Sequence, residues 1–387
     1  MKKISKLFKE FLESEKTGGF ILIFCTVVSL VLSNYFLGKD YLEFWQMPIA
    51  NHPLEHWIND GLMTIYFLLI GLELEREIYK GDLSNIKSAL FPTLGALGGM
   101  IVPAGIYLSL NFGSKTQSGA GIPMATDIAF ALGVLSLIGQ KVPTQIKVFL
   151  TALAVIDDLG AILIIAFFYT NTLLWTNLII ALLIFGGLLV LNKLKITSLT
   201  PYLLGGGVMW YFMLHSGVHA TITGVLVAFA IPFGDGKKQT PSYVLQHFLH
   251  KPVAYLILPI FALANTAILI EGNFGQALTQ NFSLGIALGL ILGKPIGILT
   301  LTFIGVKLGV CNLPKGLDFN KILCVGFLAG IGFTMSIFIT LLAFDNDLII
   351  KESKLIILLS SLLAGILGFV ALSYNLMRNN SPINSTI

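Results

Sequence analysis

Apolar runs of about 20 residues recur along this chain, each the length a helix needs to cross a hydrocarbon core of roughly 30 Å. That feature leaves few folds open, because in lipid every backbone N–H and C=O must be satisfied within the spanning structure itself. Helices do this segment by segment, and closed barrels do it between strands. Barrel strands are shorter and alternate apolar with polar residues, which these runs do not. At 55% hydrophobic and 11% charged residues, the chain is far from a soluble domain, where about a quarter of residues are charged. The expectation is an all-α integral membrane protein with about twelve transmembrane helices.

The spans are placed at 18–37, 57–79, 88–110, 121–138, 143–169, 173–192, 199–214, 217–232, 252–270, 283–305, 322–344 and 355–377. Spans seven and eight are short for a full crossing. The clearest hydrophilic links are "GDGKKQTP" and "NLPKGLDFNK", and no soluble domain fits, so 1–387 is one membrane domain. Lys39, Lys115, Lys351 and Lys354 fall on one side; every other Lys and Arg except Lys294, inside a span, falls on the opposite side. The positive-inside rule then puts both termini in the cytoplasm. The net charge of +4 is thus a topology signal, and no nucleic-acid partner is expected. Membrane lipid is the expected surrounding partner. At the N-terminus, Ile4, Leu7, Phe8, Phe11 and Leu12 have the spacing of a helix lying on the membrane, before an uncleaved first span. Cys25, Cys311 and Cys324 have no metal-ligand spacing and read as small core residues.

"FLTALAVIDDLGAILIIAFFYT", from Phe149, carries two adjacent carboxylates, Asp157 and Asp158, mid-span. Each charge at a bilayer centre costs about 2.5–3.5 kcal/mol, and such groups usually mark ion or proton paths. "GIPMATDIAFALG" adds Asp127, preceded by Pro123 and Thr126, both unfavourable to a continuous helix. "LGLILGKPIGILTL" adds Lys294, which needs a carboxylate partner whether it serves as counter-ion or titrating group. "GFLAGIGFTMSIFIT" has no charge, but Gly326, Gly330, Gly332, Thr334 and Ser336 all weaken its helix. Its glycines fit either close helix packing or an unwound segment lining a cavity. "GIPMATDI" and "GIGFTMSI" correspond, which makes 88–169 and 283–377 two halves of an inverted-topology repeat, with spans four and eleven interrupted. Residues 1–79 and 173–270 then form interface or scaffold helices. Half-helices end in about half a charge, positive at N-termini and negative at C-termini. Asp127 offsets the former and Lys294 the latter.

Given a water-accessible cavity, the pair Asp157–Asp158 carries −2 when ionised, −1 with one sodium and zero with two protons. Sodium and protons then compete for the same oxygens. Hard oxygen ligands suit a small alkali cation, and Thr126 can add a hydroxyl. Lys294 pairs with Asp157 when sodium is absent, and the two titrate as a unit. No cofactor is expected beyond the transported ions.

"FLLIGLELEREI", "ATDIAFALGVL", "FLTALAVIDDLGAI", "HSGVHATITGV", "LILPIFALANT", "LGKPIGI" and "GIGFTMSIFI" together resemble the bacterial sodium/proton antiporter family NhaA, in matching order from about residue 57 to 377. The resemblance implies twelve helices, with spans four and eleven broken and crossing. It implies electrogenic exchange of cytoplasmic sodium or lithium for external protons, pH-regulated, in the bacterial inner membrane, by a transporter and not an enzyme. It implies that Asp158 is the principal sodium and proton carboxylate, that Asp157 pairs with Lys294, and that Asp127 and Thr126 are polar residues at the break. Glu73 and Glu77 match acids at the cytoplasmic funnel, and His219 a histidine linked to pH response. His215, four residues before His219, makes a metal pair conceivable without a third ligand.

Three departures bear on regulation and assembly. Glu75 stands where the family often has a basic residue, and Gln246 where pH-responsive members have an acid. The stretch "GKDYLEFWQMPIANHPLEHW" is short, has two prolines and lacks two alternating strands, so the family's dimer hairpin, and with it a homodimer, is left open.

Two other functions compete. An intramembrane aspartyl protease needs its acids on separate helices facing one bond, whereas neighbours on one helix point about 100° apart. A passive sodium channel would show no coupling to proton flux, and interrupted paired helices argue for alternating access.

Overall fold

The computed structural model describes residues 6–50, 52–169, 173–236, 239–270 and 274–380. Lys2, Lys3, Ile4, Lys237 and Lys238 lie outside the described residues. The rest is almost wholly helical, as hydrophobic runs without alternation require. Among the described residues nine helices are long and apolar enough to cross a membrane, and the pair Phe319–Ala329 and Phe333–Ala343, bent by 51°, makes a tenth. Spans seven and eight are Thr200–Leu214 and Ile222–Ala230, with 15 and 9 residues. At 1.5 Å per residue they fall short of a hydrocarbon core.

Both interrupted spans are visible. Span four runs as a tight helix over Gln117–Met124 that contains Pro123, loses helical form at Ala125–Asp127, and resumes over Ile128–Leu137. Span eleven breaks between Ala329 and Phe333, at Gly330–Gly332. The breaks meet: the Asp127 N–H donates to the Ile331 carbonyl over 2.7 Å, and the Ser336 hydroxyl to the Ile122 carbonyl over 2.7 Å. Each break thus satisfies backbone groups that the other leaves open.

Span three, Ile86–Asn111, lies against span ten through Gly98 and Gly297. A methyl group on either glycine would collide with the carbonyl of the other, so only glycine allows this approach. Span ten has a wide π-helical turn over Gly289–Gly293, just before Lys294. Pro295, lacking an N–H, cannot bond the Ile291 carbonyl, which is a local cause for that wide turn.

One sequence expectation is corrected between spans one and two. The stretch does contain a hairpin, with strands Pro48–Ile49 and His52–Pro53 antiparallel in the register Pro48↔Pro53 and Ile49↔His52. Two residues per strand are too few to alternate visibly. The Trp57 indole N–H donates to the Ile49 carbonyl over 2.8 Å and ties the hairpin to span two.

Candidate functional site

Asp157 and Asp158 lie within the helix Thr144–Phe168 and are 1% and 0% exposed. About 100° of rotation separates adjacent residues, so the carboxylates turn to different neighbours. Asp157 turns to span ten: its Oδ2 lies 2.5 Å from Lys294 Nζ and 2.8 Å from the Thr126 hydroxyl. Lys294 Nζ also donates to Thr126 Oγ1 over 2.8 Å, and that hydroxyl lies 2.9 Å from the Ala329 carbonyl. Thr126 has one hydrogen to give, so it donates to Asp157 or to Ala329, at the C-terminus of the first half of span eleven. When it donates to Ala329, the hydroxyl links the Lys294 ammonium to a helix end of negative dipole.

Asp158 turns instead to span two, where the Tyr66 hydroxyl donates to its Oδ2 over 3.2 Å. Asp157 Oδ1 and Asp158 Oδ1 are buried without a hydrogen-bond partner. Such oxygens are expensive to leave unfilled, and two of them on neighbouring carboxylates are suited to a small cation. The pair is closed off from water in this structure, at 1% and 0% exposure. Lys294 and Thr126 cover Asp157, and Tyr66 covers Asp158.

Asp127 does not reach that pair by hydrogen bond. It is the N-cap of Ile128–Leu137, accepting from the Phe130 N–H over 2.9 Å. Its other oxygen accepts from the Thr334 N–H over 3.0 Å and the Thr334 hydroxyl over 2.5 Å. One carboxylate therefore closes two helix N-termini, one in each broken span. Gly330 packs on the Leu290 carbonyl, while Gly332 is the N-cap of Phe333–Ala343.

A family model described as Na+/H+ antiporter 1 matches residues 9–372. The chain belongs to this Na+/H+ antiporter family. It is 68% identical over 372 residues to a Na(+)/H(+) antiporter NhaA of Flavobacterium psychrophilum, covering 96% of this chain and 97% of the relative. It is 56% identical over 383 residues to one of Dechloromonas aromatica, covering 98% of each. In fold it is similar to the solved sodium proton antiporter MjNhaP1 of Methanocaldococcus jannaschii, with a TM-score of 0.53 over 96% of this chain and 97% of that one, at 15% identity.

The other residues expected to serve this antiporter do not gather in one place. Glu73 is buried near the C-terminal end of Met63–Tyr79, with its Oε1 3.4 Å from His250 Nδ1; Glu77 is half-buried one turn on. Glu75 faces the same neighbouring helix, Pro241–Pro252, and accepts from the Ser242 hydroxyl over 3.2 Å; Gln246 is buried there too. His219 lies at the other end of span two, its Nε2 2.8 Å from the Tyr169 carbonyl. His215 Nδ1 lies 2.8 Å from the Tyr211 carbonyl, and among the described residues no three His, Cys, Asp or Glu groups form a metal site.

Two residues escaped the sequence argument. Tyr66, an aromatic in an apolar run, looks like core. Lys354, just before the apolar run at 355–377, is buried, 3.3 Å from Glu55 Oε1 and 3.2 Å from Asn265 Oδ1. Lys294 is therefore not the one cation inside the bundle.

Proposed function

We propose that this protein exchanges cytoplasmic sodium or lithium for external protons by alternating access at the Asp157–Asp158 pair. The observation that carries this reading is the unequal setting of the two carboxylates: one is neutralised by Lys294, the other is held only by a phenol, and each keeps a partnerless oxygen. A cation entering there replaces water with those oxygens. With Asp157 ionised and paired, Asp158 carries the one charge that a sodium or a proton can neutralise. When a cation displaces Lys294 from Asp157, the lysine loses its partner and is pressed to release a proton. Two protons against one sodium leave one net charge moved per cycle, so the exchange is electrogenic.

Residues 88–169 and 283–377 form the transport core in this account, and 1–79 and 173–270 the scaffold it works against. Both termini face the cytoplasm of a bacterial inner membrane, from the distribution of Lys and Arg. The Glu73, Glu77 and His250 neighbourhood then lies on the cytoplasmic side, where acids at a funnel mouth attract cations and respond to pH. His219 acts on the opposite side. The strand residues Pro48, Ile49 and His52, exposed, offer a contact for a second copy of the chain.

The test uses everted membrane vesicles from cells lacking other antiporters, with an acid interior followed by a pH dye. Sodium, lithium or potassium is added to wild type and to Asp158→Asn. Collapse of the gradient by sodium and lithium in wild type alone supports coupled exchange through Asp158. Radioactive sodium entry without collapse at any pH would instead mark an uncoupled pore.

A further inference from the structure

Tyr66 lies on the helix Met63–Tyr79, is 6% exposed, and its phenol bonds span five at Asp158. On its helix, Tyr66, Ile70, Glu73 and Glu77 follow at intervals of four, three and four residues, which places them on one face. That face runs about 16 Å from Glu77 to Tyr66 at 1.5 Å per residue. The buried Ile70 separates the phenol, beside Asp158, from Glu73 and Glu77 near the end of span two. The charged groups acting on Asp158 are Asp157 on its own helix, Asp127 at the break in span four and Lys294 on span ten; span two contributes the phenol.

A carboxylate held by one oxygen keeps its other oxygen in a fixed direction. Asp158 Oδ2 is engaged by Tyr66 and its Oδ1 is not engaged, while Asp157 Oδ2 is engaged by Lys294 and Thr126 and its Oδ1 is not. Each carboxylate is thus clamped at one oxygen and open at the other. We propose that Tyr66 is a positioning residue for cation binding, clamping Asp158 Oδ2 so that Oδ1 is presented to the incoming sodium beside Asp157 Oδ1. This rests on the reading of the pair as the cation site. Because Tyr66 belongs to the scaffold side and Asp158 to the core, the clamp forms only when the two are apposed. Cation affinity is then tied to their contact.

Tyr66→Phe keeps the ring and removes the clamp. In everted vesicles the apparent KM for sodium rises about tenfold, as for a lost hydrogen bond to a charged group, while Vmax at saturating sodium stays within about twofold of wild type. A purely structural phenol would instead lower the amount of protein in the membrane and leave KM unchanged, and an unchanged KM at equal protein level overturns the proposal. A second measurement does not depend on that variant folding or on exchange. With meta-fluorotyrosine placed at position 66 of the full chain in detergent, the fluorine resonance moves on addition of sodium but not of choline. A resonance unmoved by sodium overturns the clamp. If the resonance moves while wild-type vesicles show no exchange, the clamp stands and the antiporter reading fails.

Discussion

Lys294 Nζ and Asp157 Oδ2 lie 2.5 Å apart with both side chains wholly buried. Removing one partner of such a pair is worse than removing both, because it strands a charge away from water. Lys294→Met should destabilise the protein by about 3–5 kcal/mol. The double variant Lys294→Met with Asp157→Asn should recover most of that. Melting of the detergent-solubilised protein checks it: equal melting of the single and double variants would mean the pair does not hold the site together.

Asp127 caps two helices at once, and Thr334 supplies two of its hydrogen bonds. Thr334→Val keeps the shape and the backbone bond but loses the hydroxyl. The expected loss is about 1.5–3 kcal/mol, the usual range for a hydrogen bond to a charged group. Asp127→Asn should likewise lower the melting temperature yet leave sodium-dependent exchange measurable, since no hydrogen bond joins Asp127 to Asp157 or Asp158. Complete loss of exchange in well-folded Asp127→Asn would place that carboxylate in the transport step itself.

The charges were legible because each violates the chemistry of its surroundings. Asp127, Asp157, Asp158 and Lys294 interrupt apolar runs, where a charge calls for a partner, a helix end or an ion path. The broken spans were legible from Pro123 and the Gly330–Gly332 stretch. Partners were harder to see. Asp127 as a cap on two helices needs the breaks to be adjacent, which is tertiary information. Tyr66 has the composition of core, and its hydroxyl matters only once span two is placed beside Asp158. Lys354 was misplaced because a lysine near a span end normally reaches water, whereas the helix Asp347–Asn380 starts earlier than the apolar run and carries it inside. The hairpin at 48–53 was missed because its strands are shorter than the alternation that identifies a strand.

Gly98 and Gly297 set how closely spans three and ten approach, and Lys294 rides on the second of these. Gly297→Ala forces a methyl against the Gly98 carbonyl, so the helices must separate. Overpacking of this kind costs about 1–3 kcal/mol. Since Lys294 lies one turn before Gly297, the same shift should lengthen its bond to Asp157 and raise the apparent KM for sodium. Gly105→Ala on span three, where a methyl meets nothing within 4 Å, is the control and should behave as wild type.

Lys354 and Glu55 form a different kind of pair, because Glu55 retains 18% side-chain exposure and Lys354 only 10%. The two partners should therefore not be equivalent. Lys354→Met fills the same space with apolar atoms, and the released Glu55 still has the Gln46 amide at 2.7 Å and a route to water. Glu55→Ala strands a buried ammonium with the Asn265 carbonyl oxygen as its remaining hydrogen-bond acceptor. The expected order is a change within about 1 kcal/mol for the first and a loss of about 2 kcal/mol for the second. Asn265 also bonds Asn59 over 2.7 Å, so the disturbance should reach span two. Amide exchange on the 54–62 segment, faster in Glu55→Ala than in Lys354→Met, would be the local sign of it; equal protection in both would mean that the ammonium finds water without help.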